Sequence, residues 1–322
     1  DEMNYRGVAN SSYHFSYYNQ KILKNKSIIF YNEQNVNNIK EVIKKFRKSF
    51  KVIGIKRFED IDSYKYRFNL DFIYVQKGGE KNTWSSLNIK TLVHCVYPQR
   101  LSEVHGHKYV YISEWLSDVF SRKKIPFVPL IIQVAKTNEN LKKKLKIKKD
   151  QIVFGCHGGK SSFDLKFAQD TIKELIKEKK NLTFIFLNIN KFCSHPRAIF
   201  LKGTSNEVYK KKFLNSCDAM IYGRSLGESF GISCGEFSIL GKKIISYKFN
   251  RHRSHIANIS KKNLKLYGSR KELSNILRNF KKEKNKNNIK SKYFDYTPRK
   301  VMNKFKQNFL TKKENIKFSI SD

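Results

Sequence analysis

The chain is predicted to fold as two doubly wound α/β domains in tandem. Three observations carry this. Short apolar runs alternate with helical stretches throughout, the alternation breaks once at a Lys-rich segment (residues 136–150) and then restarts, and 322 residues suit two ordinary cores better than one small core. Continuous apolar strands joined by helices are the pattern of a parallel sheet covered on both faces.

In the first half, a helical stretch at 12–23 precedes a strand at 27–31, an amphipathic helix at 37–49 and a strand at 51–55. Strands at 71–75, 90–96 and 109–112 follow, the last leading into a helix at 113–120. Residues 136–150 are almost purely charged and read as an interdomain region with a solvated helix. The second half alternates again. Its strands are expected at 151–156, 182–188, 198–202, 219–222, 243–247 and 264–267, with helices at 164–178, 207–216, up to about 240, and at 271–280. Residues 281–292 read as a Lys/Asn-rich linker and 298–310 as a terminal helix. The expected division is 1–135, 136–292 and a helix in 293–322 that returns to the first domain. The chain opens on the polar segment Asp1-Glu2-Met3-Asn4-Tyr5-Arg6-Gly7, where such a domain normally has a buried strand, so a strand is expected to precede it.

Composition narrows the function classes. Lys and Arg number 66 against 27 Asp and Glu, a formal charge of +39 that favours anionic partners, whether lipid headgroups, nucleic acid or phosphorylated ligands. Lys is also abundant in segments with no evident ligand, so part of the excess is ordinary usage. Cys95, Cys156, Cys193, Cys217 and Cys234 are odd in number and widely spaced, as expected of free thiols in a reducing compartment such as the cytoplasm. No Cys/His cluster has zinc spacing, so no metal is expected, and no apolar run approaches the length of a membrane span. Peripheral contact with the inner face of an anionic membrane remains compatible with the charge.

The most informative stretch runs from Cys217 to Phe237. A strand ends at Tyr222, a Gly-containing loop carries Arg224 and Glu228, and a helix begins near Phe230-Gly231. That order sets a carboxylate at a strand's carboxyl end beside free N–H groups of a helix start, where open α/β sheets bind ligands and where phosphate is favoured. Glu236 follows about two helical turns later. Glu228-Ser229-Phe230-Gly231 and Glu236 reproduce the Glu-x7-Glu motif, and the chain resembles the retaining, family-four-like GT-B glycosyltransferases. Asp218-Ala219-Met220 before the motif and Gly241-Lys242-Lys243-Ile244-Ile245 after it are similar to that family too.

The resemblance covers most of residues 151–280 and implies two Rossmann-like domains facing a cleft. It implies that Glu228 contacts donor-sugar hydroxyls, that backbone amides around Ser229, Phe230, Gly231 and Ile232 hold sugar and diphosphate, and that Glu236 binds ribose. A second loop, Gly155-Cys156-His157-Gly158-Gly159-Lys160-Ser161, has glycines that let backbone approach phosphate and a nearby cation. The family has an Arg where Cys156 stands, so Lys160 is the remaining diphosphate cation and Arg224 a candidate replacement. In the first half, Arg6 and Gly7, Lys77 after a strand, and the histidines His94 and His105 are candidates for the acceptor side; each histidine also suits a structural role.

The implied reaction is retaining transfer from a nucleotide-sugar to a glycan, lipid-linked or polysaccharide acceptor. The leaving diphosphate assists front-side attack, and no metal or other cofactor is required. Two rivals stand. One is a nucleic-acid-binding protein using the basic charge with 17 Tyr and 25 Phe as stacking surface, against which no recognizable nucleic-acid motif is present. The other is a catalytically inactive sugar-nucleotide-binding subunit, which Cys156 suggests.

Overall fold

The structure is a computed structural model that describes residues 2–82, 86, 88–282 and 291–311. It divides into two compact units, residues 1–131 with 296–322, and residues 132–295.

The first unit opens with α1 (Gly7–Lys21), β1 (Ile28–Asn32), α2 (Lys40–Arg47) and β2 (Lys51–Ile55). β1 and β2 pair in parallel with Ile28 opposite Lys51. Val42 and Phe46, four apart on α2, share one helix face and pack with Met3, Tyr31 and Phe50. A tight 3-10 turn over Phe58–Tyr64 and the short α3 (Lys65–Phe68) lead to β3 (Phe72–Lys77), β4 (Lys90–Cys95), β5 (Lys108–Tyr111) and α4 (Glu114–Ser121). β3, β4 and β5 form a parallel sheet in that order.

The second unit contains β6 (Ile152–His157), α5 (Lys166–Glu178), β7 (Leu182–Leu187), β8 (Ala198–Leu201), α6 (Glu207–Ser216) and β9 (Ala219–Tyr222). It continues with β10 (Gly227–Glu228), α7 (Ile232–Ile239), β11 (Lys243–Tyr247), β12 (His252–Arg253), α8 (Ser254–Asn258), β13 (Leu264–Tyr267) and α9 (Arg270–Arg278). Six parallel strands lie in the order β13-β11-β9-β6-β7-β8. The chain winds outward from β6 to β8, then returns to the far side of β6 and winds outward again. β6 is therefore flanked by β7 and β9, and the winding direction switches between β6 and β9. β7 and β9 are buried at every position, which is why β9 reads as an unbroken apolar run and β7 as one interrupted only by Thr183.

The last helix, α10 (Pro298–Phe305), starts with Pro at its first position, where the missing N–H costs nothing, and continues into a wider turn over Lys306–Leu310. It packs in the first unit: Phe305 meets the rings of Phe15 at 5.4 Å and Tyr74 at 5.3 Å.

Some expectations need correction. α1 begins at Gly7 rather than residue 12, and residues 136–150 form turns, not a helix. Leu141 and Ile147 of that segment are buried, and Lys146 takes a left-handed conformation (φ 53°) that ends helical winding. The segment is pinned to the end of α6: Ser216 Oγ accepts from the Leu141 amide at 2.7 Å, and Asn215 donates to the carbonyls of Thr137 and Glu139. Most of the stretch expected as a linker, residues 283–290, lies outside the described residues. The short β10, β12, α3 and α8 were not legible in the pattern. Cys95, Cys156, Cys217 and Cys234 are buried free thiols, and Cys193 is half-buried and free. Among the described residues no helix is long and apolar enough to cross a membrane.

Candidate functional site

Open parallel sheets bind ligands outside the carboxyl ends of strands where the winding reverses. In the second unit that point lies between β6 and β9, and both sequence-predicted loops emerge there. The turn after β6 is closed on itself: the Gly159 amide donates to Ser162 Oγ at 3.0 Å and the Ser162 amide returns to the Gly159 carbonyl at 2.8 Å. Beyond β7, the Asn188 side chain donates to the Gly158 carbonyl and the Asn190 amide to that of Lys160. The Lys160 side chain stays exposed, with no carboxylate paired to it among the described residues.

The loop after β9 is tied to this turn at two points. Asp164 accepts from the Ser225 amide at 2.7 Å and from its hydroxyl at 3.0 Å, and the Leu165 amide donates to the Gly223 carbonyl. Glu228 is fixed within the loop because β10 pairs with β12, and one of its oxygens, Oε1, accepts from Tyr222 Oη at 2.8 Å and from Arg224 Nη1 at 3.2 Å. Tyr222 is buried, and burial raises its phenol pKa well above the ordinary value, so it serves as a neutral donor. Glu228 itself keeps 21% exposure, enough to face a ligand.

Gly231 caps α7 with φ 89°, a region that disfavours side chains, and a Cβ there would lie 2.9 Å from the Cβ of His255. No side chain caps the helix start, so the first amides of α7, including that of Ile232, offer hydrogen bonds and the positive end of the helix dipole to an anion. Phe230 is buried, its carbonyl accepting from Tyr293 Oη at 2.7 Å; Ser229 and Ile232 are half-buried.

Glu236 lies on the buried face of α7 at 1% exposure, held by Lys210 Nζ at 2.6 Å and His157 Nε2 at 2.9 Å. Lys210 also pairs with Glu207 at 2.8 Å. Burial disfavours the Glu236 carboxylate, but Lys210 and then His157 outweigh it and hold the pKa below the ordinary value. Burial likewise disfavours the Lys210 ammonium, while Glu236 and Glu207 together more than restore it and raise its pKa. His157 ends β6 immediately before Gly158, so this charged cluster joins α6, α7 and the Gly-rich turn. Beneath the loop, His255 is fully buried with its ring 4.9 Å from that of Tyr222, and burial drops it to about 3, so it is neutral.

Thus the structure brings the 158–160 turn, Arg224, Glu228, the α7 start and Glu236 to one edge of one sheet. Cys156 is wholly buried, with burial pushing its thiol pKa up, so it cannot do a cation's work. Arg224 is already engaged with Glu228. Sequence reasoning missed Tyr222, His157 and Lys210. Only His157 carried a signal, as the polar end of an apolar strand beside two glycines.

In the first unit, Arg6 precedes α1 and pairs with Glu2 at 3.2 Å, and Gly7 starts the helix. Lys77 ends β3 nearly buried and donates to Asn82 and to His105 Nε2, the latter at 3.0 Å. Burial lowers the pKa of both Lys77 and His105. His94 is a core histidine: it is fully buried, with Nδ1 2.7 Å from Tyr74 Oη and Nε2 2.7 Å from the Val128 carbonyl. With both nitrogens engaged and a pKa dropped by burial to about 4, it has nothing to offer an acceptor.

No family model matches the chain, and no curated protein matches its sequence. Solved structures do match over nearly the whole length. A glycosyltransferase from Rickettsia africae is 15% identical, with a TM-score of 0.60 over 93% of this chain and 90% of that one. Anabaena HepE in complex with UDP and glucose is 11% identical, with a TM-score of 0.64 over 96% and 94%. A UDP-N-acetylglucosamine 2-epimerase-like protein from Listeria monocytogenes is 10% identical, with a TM-score of 0.60 over 99% and 98%. Likeness at such identities concerns architecture: the chain has the GT-B fold, with two Rossmann-like domains.

Proposed function

We propose that the protein is a retaining glycosyltransferase that takes its donor, a nucleotide-sugar, at the carboxyl edge of the second unit and passes the sugar to a glycan, lipid-linked or polysaccharide acceptor. The observation that carries this reading is the placement of Glu228, the uncapped start of α7 and the turn bearing Lys160 around the β6–β9 switch point. A carboxylate suits sugar hydroxyls, whereas helix amides and a free ammonium suit a diphosphate. HepE was solved with UDP and glucose, which makes UDP-sugars the first donors to try.

In the proposed chemistry Glu228 orients the sugar through the oxygen that Tyr222 and Arg224 leave open. Lys160 and the α7 amides stabilise charge as it develops on the leaving diphosphate, a contribution larger in the transition state than in the bound donor. Gly158 and Gly159 permit close backbone approach. The leaving phosphate assists the acceptor hydroxyl, so no protein nucleophile, metal or cofactor is invoked. Glu236 is proposed for the ribose, which reaches it only as Lys210 or His157 gives way. Arg6 and Gly7 remain the proposed acceptor-side residues, and Lys77 and His105 serve there only by giving up the bond they make to each other.

The test is a melting-temperature screen with UDP-, GDP-, ADP- and CMP-sugars, followed by nucleotide release on adding glycan acceptors. A folded-state ligand at 100 times its Kd stabilises by about 2.7 kcal/mol. One donor class should raise the melting temperature and release its nucleotide only with acceptor. Conversion of the donor's own sugar without transfer would point to an epimerase instead, and binding without turnover to a sugar-nucleotide-binding subunit.

A further inference from the structure

We propose that the first unit carries a docking surface for an anionic lipid bilayer at the amino-terminal ends of β1 and β2. The chain there is free of acidic residues in two stretches, 3–32 and 42–58. Pairing of Ile28 with Lys51 sets the two strand starts side by side, and Gln20 Nε2 reaches the Ser49 carbonyl while Tyr13 Oη meets Ser49 Oγ at 2.9 Å. The end of α1 and the turns into both strands therefore form one surface. It exposes Lys21, Lys24, Lys26, Arg47, Lys48 and Lys51, and among the described residues no carboxylate pairs with any of them. Lys51 continues the surface to α3, its ammonium 4.3 Å from the centre of the Phe68 ring, with Arg67 5.4 Å from the same ring. Beside them Tyr66 is 89% exposed.

Lysines and arginines in the last turn of a helix also complement its dipole, and that accounts for one or two of these charges. It does not account for Lys24, Lys26 and Lys51, which lie outside the helices, or for a tyrosine left in water. The chemistry selects a bilayer over a nucleic acid. Five of the six cations are lysines, which are hydrated point charges suited to a diffuse anionic surface rather than forks for individual phosphates. They gather where α1 and α2 end and where β1 and β2 begin, and an exposed tyrosine among them suits the headgroup level. Arg6 lies at the other end of α1, where Met3 bonds to Asn38 and Ile39 beyond the carboxyl end of β1, so docking leaves that edge uncovered.

The experiment is flotation of the full chain with vesicles of phosphatidylcholine alone or mixed with phosphatidylglycerol. Binding should require phosphatidylglycerol and weaken at least tenfold between about 0.05 and 0.5 M salt. The triple variant Lys24→Glu, Lys48→Glu, Lys51→Glu should lower it at least tenfold with an unchanged melting temperature. Tyr66→Ala should lower it a few-fold, most visibly at high salt. The control reverses the same number of charges in the second unit, at the exposed Lys143, Lys148 and Lys149, and should leave binding within twofold. Equal loss in the two triples would mean that net charge alone acts, and would overturn the proposal. So would vesicle binding indifferent to the first triple while a single-stranded oligonucleotide loses affinity for it. Neither result bears on nucleotide-sugar turnover, which is measured without vesicles.

Discussion

The carboxyl edges of the two sheets carry similar residue types and use them differently. In the second unit Glu228 keeps part of its surface free, Lys160 is exposed, and the groups that hold the edge in place, Tyr222, Lys210 and Glu236, lie behind it. In the first unit the titratable groups are spent on each other: Lys77 on His105 and Asn82, His94 on Tyr74 and Val128. An edge that closes its polar groups on itself is a stable end to a sheet. One that fixes them from behind and leaves others open is prepared for a ligand.

The sharpest way to break this contrast is to remove a partner from behind the second edge. Glu236→Ala leaves Lys210 buried against Glu207 alone and should cost about 3–5 kcal/mol of stability, as loss of one member of a buried pair does. Lys77→Met in the first unit removes a cation whose bonded partners are neutral and should stay within about 1 kcal/mol. Chemical unfolding of both variants checks the difference.

Acid should then expose what the two units share. His94 at about 4 and His255 at about 3 are neutral when folded and regain the ordinary value of 6.5 on unfolding. The unfolded chain therefore binds more protons below pH 6.5, so stability falls as pH drops toward 4, by up to roughly 3 kcal/mol for each histidine. Denaturation at stepped pH should show this slope, and His94→Gln should reduce it without altering donor affinity.

Smaller in stability but specific to function is Lys160→Ala. It should leave the melting temperature unchanged, weaken nucleotide affinity, and lower kcat/KM roughly 100-fold, the loss typical of one preorganised donor.

The sequence made the second unit more legible than the first. β9 is an apolar run, and β11 and β13 are short, largely apolar stretches interrupted by Ser246 and Lys265; the expected bounds of all three coincide with the strands observed. Glu228 and Glu236 could be named because their spacing comes with Ser229-Phe230-Gly231 and with a strand on either side. What holds them could not. Lys210 stands in the run Lys210-Lys211-Lys212, where nothing local separates the buried ammonium from its neighbours, and Tyr222 looks like any aromatic strand end. His94 was ambiguous for a similar reason, since its partners lie 20 and 34 residues away. The 136–150 segment misled because its charge hid Leu141 and Ile147, two anchors too few to make an apolar run.

In the proposed mechanism Glu228 acts on the donor sugar while the nucleotide is held elsewhere on the same edge. The measurement closest to it is acceptor-dependent nucleotide release by Glu228→Gln, with donor affinity determined in parallel. The amide keeps the shape and can still accept from Tyr222, so the fold and nucleotide affinity should survive, with Kd within about threefold, while kcat falls at least 100-fold. Full transfer activity in this variant with the native donor would contradict the mechanism, whatever the fold.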